Sequence, residues 1–218
     1  MKICALVPAY NEEKTVAEVI YTLAGEKLID KIVVVDDGSE DRTAVVAREA
    51  GARVISLSEN QGKGAAILKG LQSVEADIIL MLDADLIGLT GEHIRKLLQP
   101  LIDDEADMAV GVFNEGRGLT DLAQFFTPNL SGQRAIKADV LAEINDLDKE
   151  GFGIELTLNK YVKDNGRLEF VNLPELTHVM KEEKMGLIKG VKARLAMYWD
   201  IVKTIFFRII KKQDHRDK

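Results

Sequence analysis

The sequence predicts an α/β domain in which a mostly parallel central sheet is flanked by helices on both faces. Short apolar segments alternate with longer segments of helical spacing through the first half of the chain. These short segments are apolar at nearly every position, as is typical of strands that are covered on both faces. Polar motifs follow several of them, at the strand ends where parallel sheets bind their ligands.

Each element of the first half is predicted from its own residues. Residues 3–8 form an apolar run that ends at a proline, and residues 31–35 are largely β-branched. Ser39 or Asp41 is a suitable N-cap for a helix over residues 41–50. The remaining elements of this half are a helix over 15–24, a strand over 53–57, a helix over 62–74 and a strand over 77–82.

The second half is less regular. An amphipathic helix is predicted over residues 92–102 and a strand over 107–113. Residues 127–134 are polar, and no helix or strand is predicted there. The remaining elements are helices over 138–144 and 154–162 and a strand over 167–173.

Composition limits the class of protein. With 218 residues, 46% hydrophobic and 30% charged, the chain is neither disordered nor a disulfide scaffold. One domain over residues 1–180 with a C-terminal extension over 181–218 is expected. The single cysteine, Cys4, lies in an apolar run and favours a buried thiol in a reducing, cytoplasmic setting, and neither a signal peptide nor a spanning helix is predicted. The net charge of −7 argues against a nucleic-acid partner.

The charge is distributed unevenly. Residues 187–212 carry a net +6, whereas residues 1–186 carry −13. Apolar residues recur at three- and four-residue spacing from Ile188 to Ile209, so this segment is expected to form a basic amphipathic helix. Such a helix suits peripheral binding to an anionic membrane on its inner face. It suits equally well packing on its own domain or pairing in a homodimer.

Two motifs point to phosphate and metal chemistry. Asp83 and Asp85 follow the apolar strand over 77–82, and two carboxylates at the end of such a strand favour a hard cation, Mg²⁺ or Mn²⁺. Lys63 stands between two glycines at a predicted helix start, where backbone N–H groups can approach a phosphate.

Four segments in this order resemble the nucleotide-sugar glycosyltransferases of family 2, which have the GT-A fold. The segments are 7–13 (VPAYNEE), 35–39 (VDDGS), 60–66 (NQGKGAA) and 83–85 (DAD). The chain is similar to both the polyprenyl-phosphate sugar transferases and the glucosyl-3-phosphoglycerate synthases. The resemblance implies a metal-dependent hexosyltransferase that uses a UDP- or GDP-linked sugar.

The resemblance also implies roles for individual residues in donor binding. Asp36 would accept a hydrogen bond from the base, and Lys63 with Gly64 would lie near the ribose or diphosphate. Asp83 would face the ribose or the sugar, and Asp85 would hold the metal. The residues that would line the base and ribose are Pro8, Ala9, Tyr10 and Glu12.

Three further features of the second half concern the acceptor. Residues 131–134 resemble a Ser-Gly-x-Arg stretch of polyprenyl-phosphate sugar transferases, so Ser131 and Gln133 are expected to bind substrate and Arg134 to face a phosphate. Glu155 would orient the donor sugar or act as a base, and His178 would complete the metal shell. The favoured acceptor is a polyprenyl phosphate, and the alternative is a small soluble phosphorylated molecule.

Two other classes are weighed against this one. A sugar-phosphate nucleotidyltransferase shares a similar sheet, but it normally has a glycine-rich, basic loop after the first strand, unlike residues 8–13 here. A non-catalytic nucleotide-binding protein would not need the pair formed by Asp83 and Asp85.

Overall fold

The computed structural model describes residues 1–112, 131–144 and 153–178. Residues 1–177 form one compact unit, and the second unit begins at His178. The amphipathic helix expected over 187–212 lies outside the described residues, and the domain boundary near residue 180 stays a prediction. Within the described part, no helix has the length and apolar character that crossing a membrane requires.

A seven-stranded sheet forms the centre of the described part. The strands are β1 (Ile3–Ala9), β2 (Lys31–Asp36), β3 (Arg53–Ser56), β4 (Ile78–Met81), β6 (Met108–Val112), β7 (Arg134–Lys137) and β8 (Leu168–Asn172). Their order across the sheet is β3-β2-β1-β4-β7-β6-β8. All neighbours pair in parallel except β7, which is antiparallel to both β4 and β6. The predicted mostly parallel sheet is therefore confirmed.

Six helices cover the sheet in the described residues. They are α1 (Val16–Ala24), α2 (Thr43–Glu49), α3 (Lys63–Leu71), α4 (Gly91–Ile102), α5 (Ala138–Glu143) and α6 (Ile154–Asn165). Alternate residues of β1 serve two apolar clusters: Ala5 and Val7 face one, whereas Cys4 and Leu6 face the other. Side chains of α1, α2 and α4 pack in the first cluster, and those of α3, α5 and α6 pack in the second. This double coverage explains the uninterrupted apolar runs.

The structure corrects several predicted elements. β7 occupies residues for which no strand is predicted, because it is short and depends on pairing with β4 and β6. A second, two-stranded sheet joins β5 (Leu86–Ile87) to β9 (Thr177–His178), and neither strand is predicted. The N-cap of α2 is Arg42 rather than Ser39 or Asp41, although Asp41 Oδ1 still accepts a hydrogen bond from the Thr43 N–H at 2.9 Å.

Candidate active site

The predicted site residues gather at the carboxyl ends of β1, β2 and β4. The chain proceeds outwards from β1 to β2 and β3 and returns on the other side of β1 at β4, so this edge is a topological switch point. β7 runs antiparallel to β4, with Arg134 opposite Met81. The first residues of β7 therefore lie at the same edge as the last residues of β4. This reversal brings residues 131–134 next to residues 83–85.

The residues expected to line the base and ribose lie at the end of β1 and in the loop that follows it. Ala9 is buried, Pro8 and Glu12 are half-buried, and Tyr10 is 41% exposed. Because Ala9 pairs with Asp36 in the β1–β2 register, the predicted base acceptor lies beside the end of β1.

Hydrogen bonds join the loop after β1 to the loop after β2. The Asn11 N–H donates to Ser39 Oγ at 2.9 Å, and Asn11 Oδ1 accepts from the Glu40 N–H at 2.9 Å. The Glu12 N–H donates to Thr43 Oγ1 at 2.7 Å. Asn11 adopts a φ of 56°, which asparagine tolerates better than most residues. The two loops therefore form one surface.

A pair of buried aspartates shapes the next part of this edge. Asp36 is 4% exposed, and its Oδ1 accepts from the Ser39 N–H at 3.3 Å. Asp37 is also buried, and its carboxylate accepts from the N–H groups of Gln61 (2.9 Å) and Gly62 (2.8 Å). Asp37 thus connects the β2 loop to the turn that precedes α3. Sequence reasoning did not assign this role, although Asp37 stands within one of the recognised motifs.

Lys63 joins two carboxylates from distant parts of the chain. Its Nζ lies 2.7 Å from Asp83 Oδ1, at the end of β4, and 3.0 Å from Glu155 Oε1, in the first turn of α6. Desolvation acts to lower the pKa of the Lys63 ammonium, but the charges and hydrogen bonds of Asp83 and Glu155 outweigh it and hold the pKa above its usual range. Lys63 is therefore a cation at all physiological pH values.

Gln133 holds Asp83 from the side of β7. Its Nε2 donates to Asp83 Oδ2 at 3.0 Å, and its Oε1 accepts from the Asp83 N–H at 3.1 Å. Gln133 is fully buried, and the neighbouring Ser131 is 7% exposed. The structure thus places Gln133 beside Asp83, and Ser131 Oγ accepts a hydrogen bond from the Gln133 N–H at 3.3 Å. Little of the surface of either predicted substrate-binding residue is accessible.

Arg134 is expected from the sequence to face a phosphate, whereas the structure buries its side chain completely. Its guanidinium donates to the backbone oxygen of Glu155 at 3.2 Å, to Asn159 Oδ1 at 3.0 Å and to the backbone oxygen of Ser131. Burial lowers the pKa of Arg134 to about 10, against the opposing charges of Glu155 and Asp83, so the side chain stays charged at neutral pH. Asn159 was not recognised from the sequence, because an asparagine inside a helix carries no distinctive signal.

Asp85 is the predicted metal ligand whose side chain lies within the described residues. Asp85 is half-buried and lies two residues after Asp83 at the same edge. Within residues 1–112, 131–144 and 153–178, no three metal-ligating side chains converge. The side chain of His178 is outside the described part, so its predicted role as a ligand stays a prediction. A carboxylate such as Asp85 still suits Mg²⁺ or Mn²⁺, since Mg²⁺ is usually held by one or two carboxylates, with phosphates and waters completing its coordination.

The chain matches the family model described as "Glycosyl transferase family 2" over residues 4–141. It is 33% identical over 172 residues to glycosyltransferase AglJ of Haloferax volcanii, covering 70% of this chain and 55% of that protein. It is 37% identical over 111 residues to glucosyl-3-phosphoglycerate synthase of Mycolicibacterium smegmatis, covering 46% of this chain and 36% of the synthase. The chain thus spans about half the length of these curated relatives, or less.

The fold is similar to that of glucosyl-3-phosphoglycerate synthase from Mycobacterium tuberculosis. One crystal structure of that enzyme, in complex with Mn²⁺, UDP-glucose and phosphoglyceric acid, matches with a TM-score of 0.70 and 27% identity. The match covers 82% of this chain and 71% of that one. Another structure of the same enzyme, with Mg²⁺ and UDP, matches with a TM-score of 0.68.

Proposed function

The chain belongs to glycosyl transferase family 2, and on that premise we propose that it transfers a sugar from a UDP-sugar to a small phosphorylated acceptor, with Mg²⁺ or Mn²⁺. This is the second of the two acceptor hypotheses raised by the sequence. It is supported by the synthase of similar fold, which was crystallised with UDP-glucose, Mn²⁺ and phosphoglyceric acid. The observation that carries the proposal is the convergence of Lys63, Asp83 and Glu155 at one sheet edge, beside Asp85.

The charges at this edge suit a donor that is anionic at one end and rich in hydroxyls at the other. In the proposed complex, Asp36 accepts a hydrogen bond from the base, and Lys63 supplies a positive charge near the diphosphate. The carboxylates of Asp83 and Glu155 accept hydrogen bonds from sugar hydroxyls, which fixes the orientation of the sugar.

Asp85 is the residue we propose to hold the cation. When bound, Mg²⁺ or Mn²⁺ supplies the neutralisation of negative charge that a departing diphosphate requires. The loops after β1 and β2, joined through Asn11 and Ser39, would hold the nucleotide in a constant position relative to Asp85.

The proposal is tested by calorimetry and by a transfer assay with the full chain. We expect UDP to bind more tightly than GDP and only in the presence of Mn²⁺, and UDP-glucose to release UDP faster when phosphoglyceric acid is added. Asp85→Asn should abolish Mn²⁺-dependent binding. Asp164→Asn, in the exposed last turn of α6, is the matched control and should behave like the wild type. If Asp85→Asn and the wild type bind UDP equally well in the presence of Mn²⁺, the assignment of Asp85 as a metal ligand is contradicted.

A polyprenyl phosphate is a second candidate acceptor, because the sequence of residues 187–212 combines a +6 charge with apolar periodicity. Each basic residue near an anionic surface contributes about 1 kcal/mol to membrane binding. In flotation, full-length protein should rise with anionic vesicles and stay down with zwitterionic ones. If the full-length protein does not float with anionic vesicles at low salt, the small soluble phosphorylated molecule is the one remaining candidate acceptor.

A further inference from the structure

Two adjacent buried polar residues lie directly behind the carboxylates of the site. Gln133 and Arg134 are both 0% exposed, at the point where β7 begins. Burying an amide or a guanidinium costs free energy that only well-formed hydrogen bonds offset. Their partners therefore indicate what these residues do.

Gln133 contacts Asp83 at two points. Its amide oxygen accepts from the Asp83 N–H, and its amide nitrogen donates to Asp83 Oδ2. Because Gln133 hydrogen-bonds both the backbone N–H and the carboxylate of Asp83, the Asp83 side chain has little freedom to rotate. The other oxygen, Oδ1, is thereby directed at Lys63 Nζ, 2.7 Å away.

Arg134 hydrogen-bonds the first turn of α6, in which Glu155 lies. Its guanidinium binds the Glu155 backbone oxygen and Asn159 Oδ1, one helical turn further on. A cation at the first turn of a helix is opposed by the helix dipole. In addition, Arg134 Nε has no hydrogen-bond partner, as far as the described residues show. This costly arrangement is difficult to attribute to stability alone.

We propose that Gln133 and Arg134 are positioning residues, which hold Asp83 and Glu155 in the geometry that both carboxylates need to meet Lys63. Neither residue contacts the donor or the acceptor. The inference rests on the proposed sugar transfer, and it replaces the expectations that Gln133 binds substrate and that Arg134 faces the acceptor phosphate. Within the described residues, the charged groups that face Asp83 include Lys63 from α3, Arg134 from β7 and, through Lys63, Glu155 from α6.

Gln133→Glu tests the first half of the proposal. The new carboxylate keeps the shape and still accepts from the Asp83 N–H, but it cannot donate to Asp83 Oδ2 until it is protonated. We expect kcat for UDP release to fall by about 10- to 100-fold at pH 8. The loss should shrink as the pH is lowered towards 5, because a carboxyl beside another carboxylate binds a proton more readily.

Gln133→Met is the matched control, since it removes both hydrogen bonds at similar volume. Its loss of kcat should be independent of pH between 8 and 5. A Gln133→Glu enzyme with wild-type kcat, or with the same pH-independent loss as Gln133→Met, would overturn the proposal.

A thermal measurement keeps this test independent of catalysis. The melting temperature of Gln133→Glu relative to Gln133→Met should rise as the pH falls from 8 to 5, because the new carboxyl then donates to Asp83. If the difference in melting temperature between the two variants does not change with pH, the Gln133–Asp83 contact is contradicted, even when no sugar transfer is detected. An inactive wild type would contradict only the proposed function.

Arg134→Lys tests the second half. A lysine keeps the charge but cannot bind three acceptors through a planar fork. We expect kcat to fall about tenfold or more while KM for the phosphorylated acceptor changes by less than about threefold. A large increase in KM with unchanged kcat would show that Arg134 binds the acceptor phosphate and would refute the positioning role.

Discussion

Substitution of Gly132 by alanine should separate activity from stability. A Cβ at this position would lie 2.6 Å from Asp83 Oδ2 and 2.6 Å from Lys63 Nζ. Ordinary contacts of a Cβ begin at 3.4 Å, so both charged groups must move by most of an ångström. Gly132 does not adopt a left-handed φ, and its backbone therefore accepts alanine without strain.

The size of each effect follows from what must move. The atoms that clash are the ends of two side chains, and the Lys63 side chain is 41% exposed. Losing a partly exposed ion pair costs about 1 kcal/mol or less. Replacing glycine by alanine stabilises the folded state by about 0.4–1 kcal/mol, because it reduces the conformational entropy of the unfolded chain. Moving Asp83 also weakens the hydrogen bond that its Oδ2 accepts from the buried Gln133 Nε2, at a cost of about 1–3 kcal/mol. The free energy of unfolding should therefore fall by no more than about 3 kcal/mol, whereas a misplacement of about 1 Å in an active site can reduce the rate about 100-fold.

Calorimetric melting and UDP release from UDP-glucose measure the two effects. Gly25→Ala is the matched control, because its Cβ would meet only the backbone oxygens of Tyr21 and Thr22, at 3.5 and 3.6 Å. It should be active and stable. Wild-type activity in Gly132→Ala would refute the reasoning that the Lys63–Asp83 geometry matters, and a large drop in melting temperature would show that the backbone, rather than the side chains, absorbs the clash.

Three further predictions concern stability. In Gly70→Ala, the new Cβ would clash with Leu6 in the core, so the free energy of unfolding should fall by about 1–3 kcal/mol. The folded fraction should keep its transfer activity. A melting temperature equal to that of the wild type would contradict this. Asp37→Ala leaves two N–H groups without their acceptor and should cost about 1–3 kcal/mol, more than Asp37→Asn in parallel denaturant unfolding; equal losses would show that the carboxylate oxygens are not needed. The hydrogen bond from Arg167, opposed by burial, holds the pKa of Asp107 well below its usual range. The ionised Asp107 carboxylate therefore stabilises the fold fully above about pH 5, and this stabilisation is lost as the pH falls through the lowered pKa. Asp107→Asn should be less stable than the wild type by about 1–2 kcal/mol at pH 7. The difference in free energy of unfolding between the two proteins should narrow below about pH 4. A difference that stays constant down to pH 2 would count against this.

The alternation of strands and helices in the first half could be predicted because it depends on local properties. Apolar runs, β-branched residues and glycines mark the approximate positions of β1 to β4 and of the helices between them. Their boundaries moved by a few residues; α3, for example, ends at Leu71 rather than at residue 74. The end of a helix depends on which backbone groups find partners, and that is settled by packing.

Most candidate residues could be named in advance because the loops after parallel strands must share one edge of the sheet. Asp36, Lys63, Asp83 and Asp85 belong to motifs that are visible in the sequence. Asn159 and Asp37 were not assigned to the site, since their roles are to bind Arg134 and a backbone turn, and neither contact has a local signature.

Residue order alone therefore establishes the α/β class, the motif-bearing loops and the family resemblance, because hydrophobic periodicity and motif spacing are properties of neighbouring residues. Which side chains meet is decided only in the folded molecule. Gln133 reaches Asp83, 50 residues earlier, because β7 runs antiparallel to β4 and starts where β4 ends. The same register buries Arg134 and directs it at α6. Antiparallel pairing of a four-residue strand is a long-range choice, made by the burial and hydrogen bonding of the whole sheet, and short stretches of sequence do not encode it.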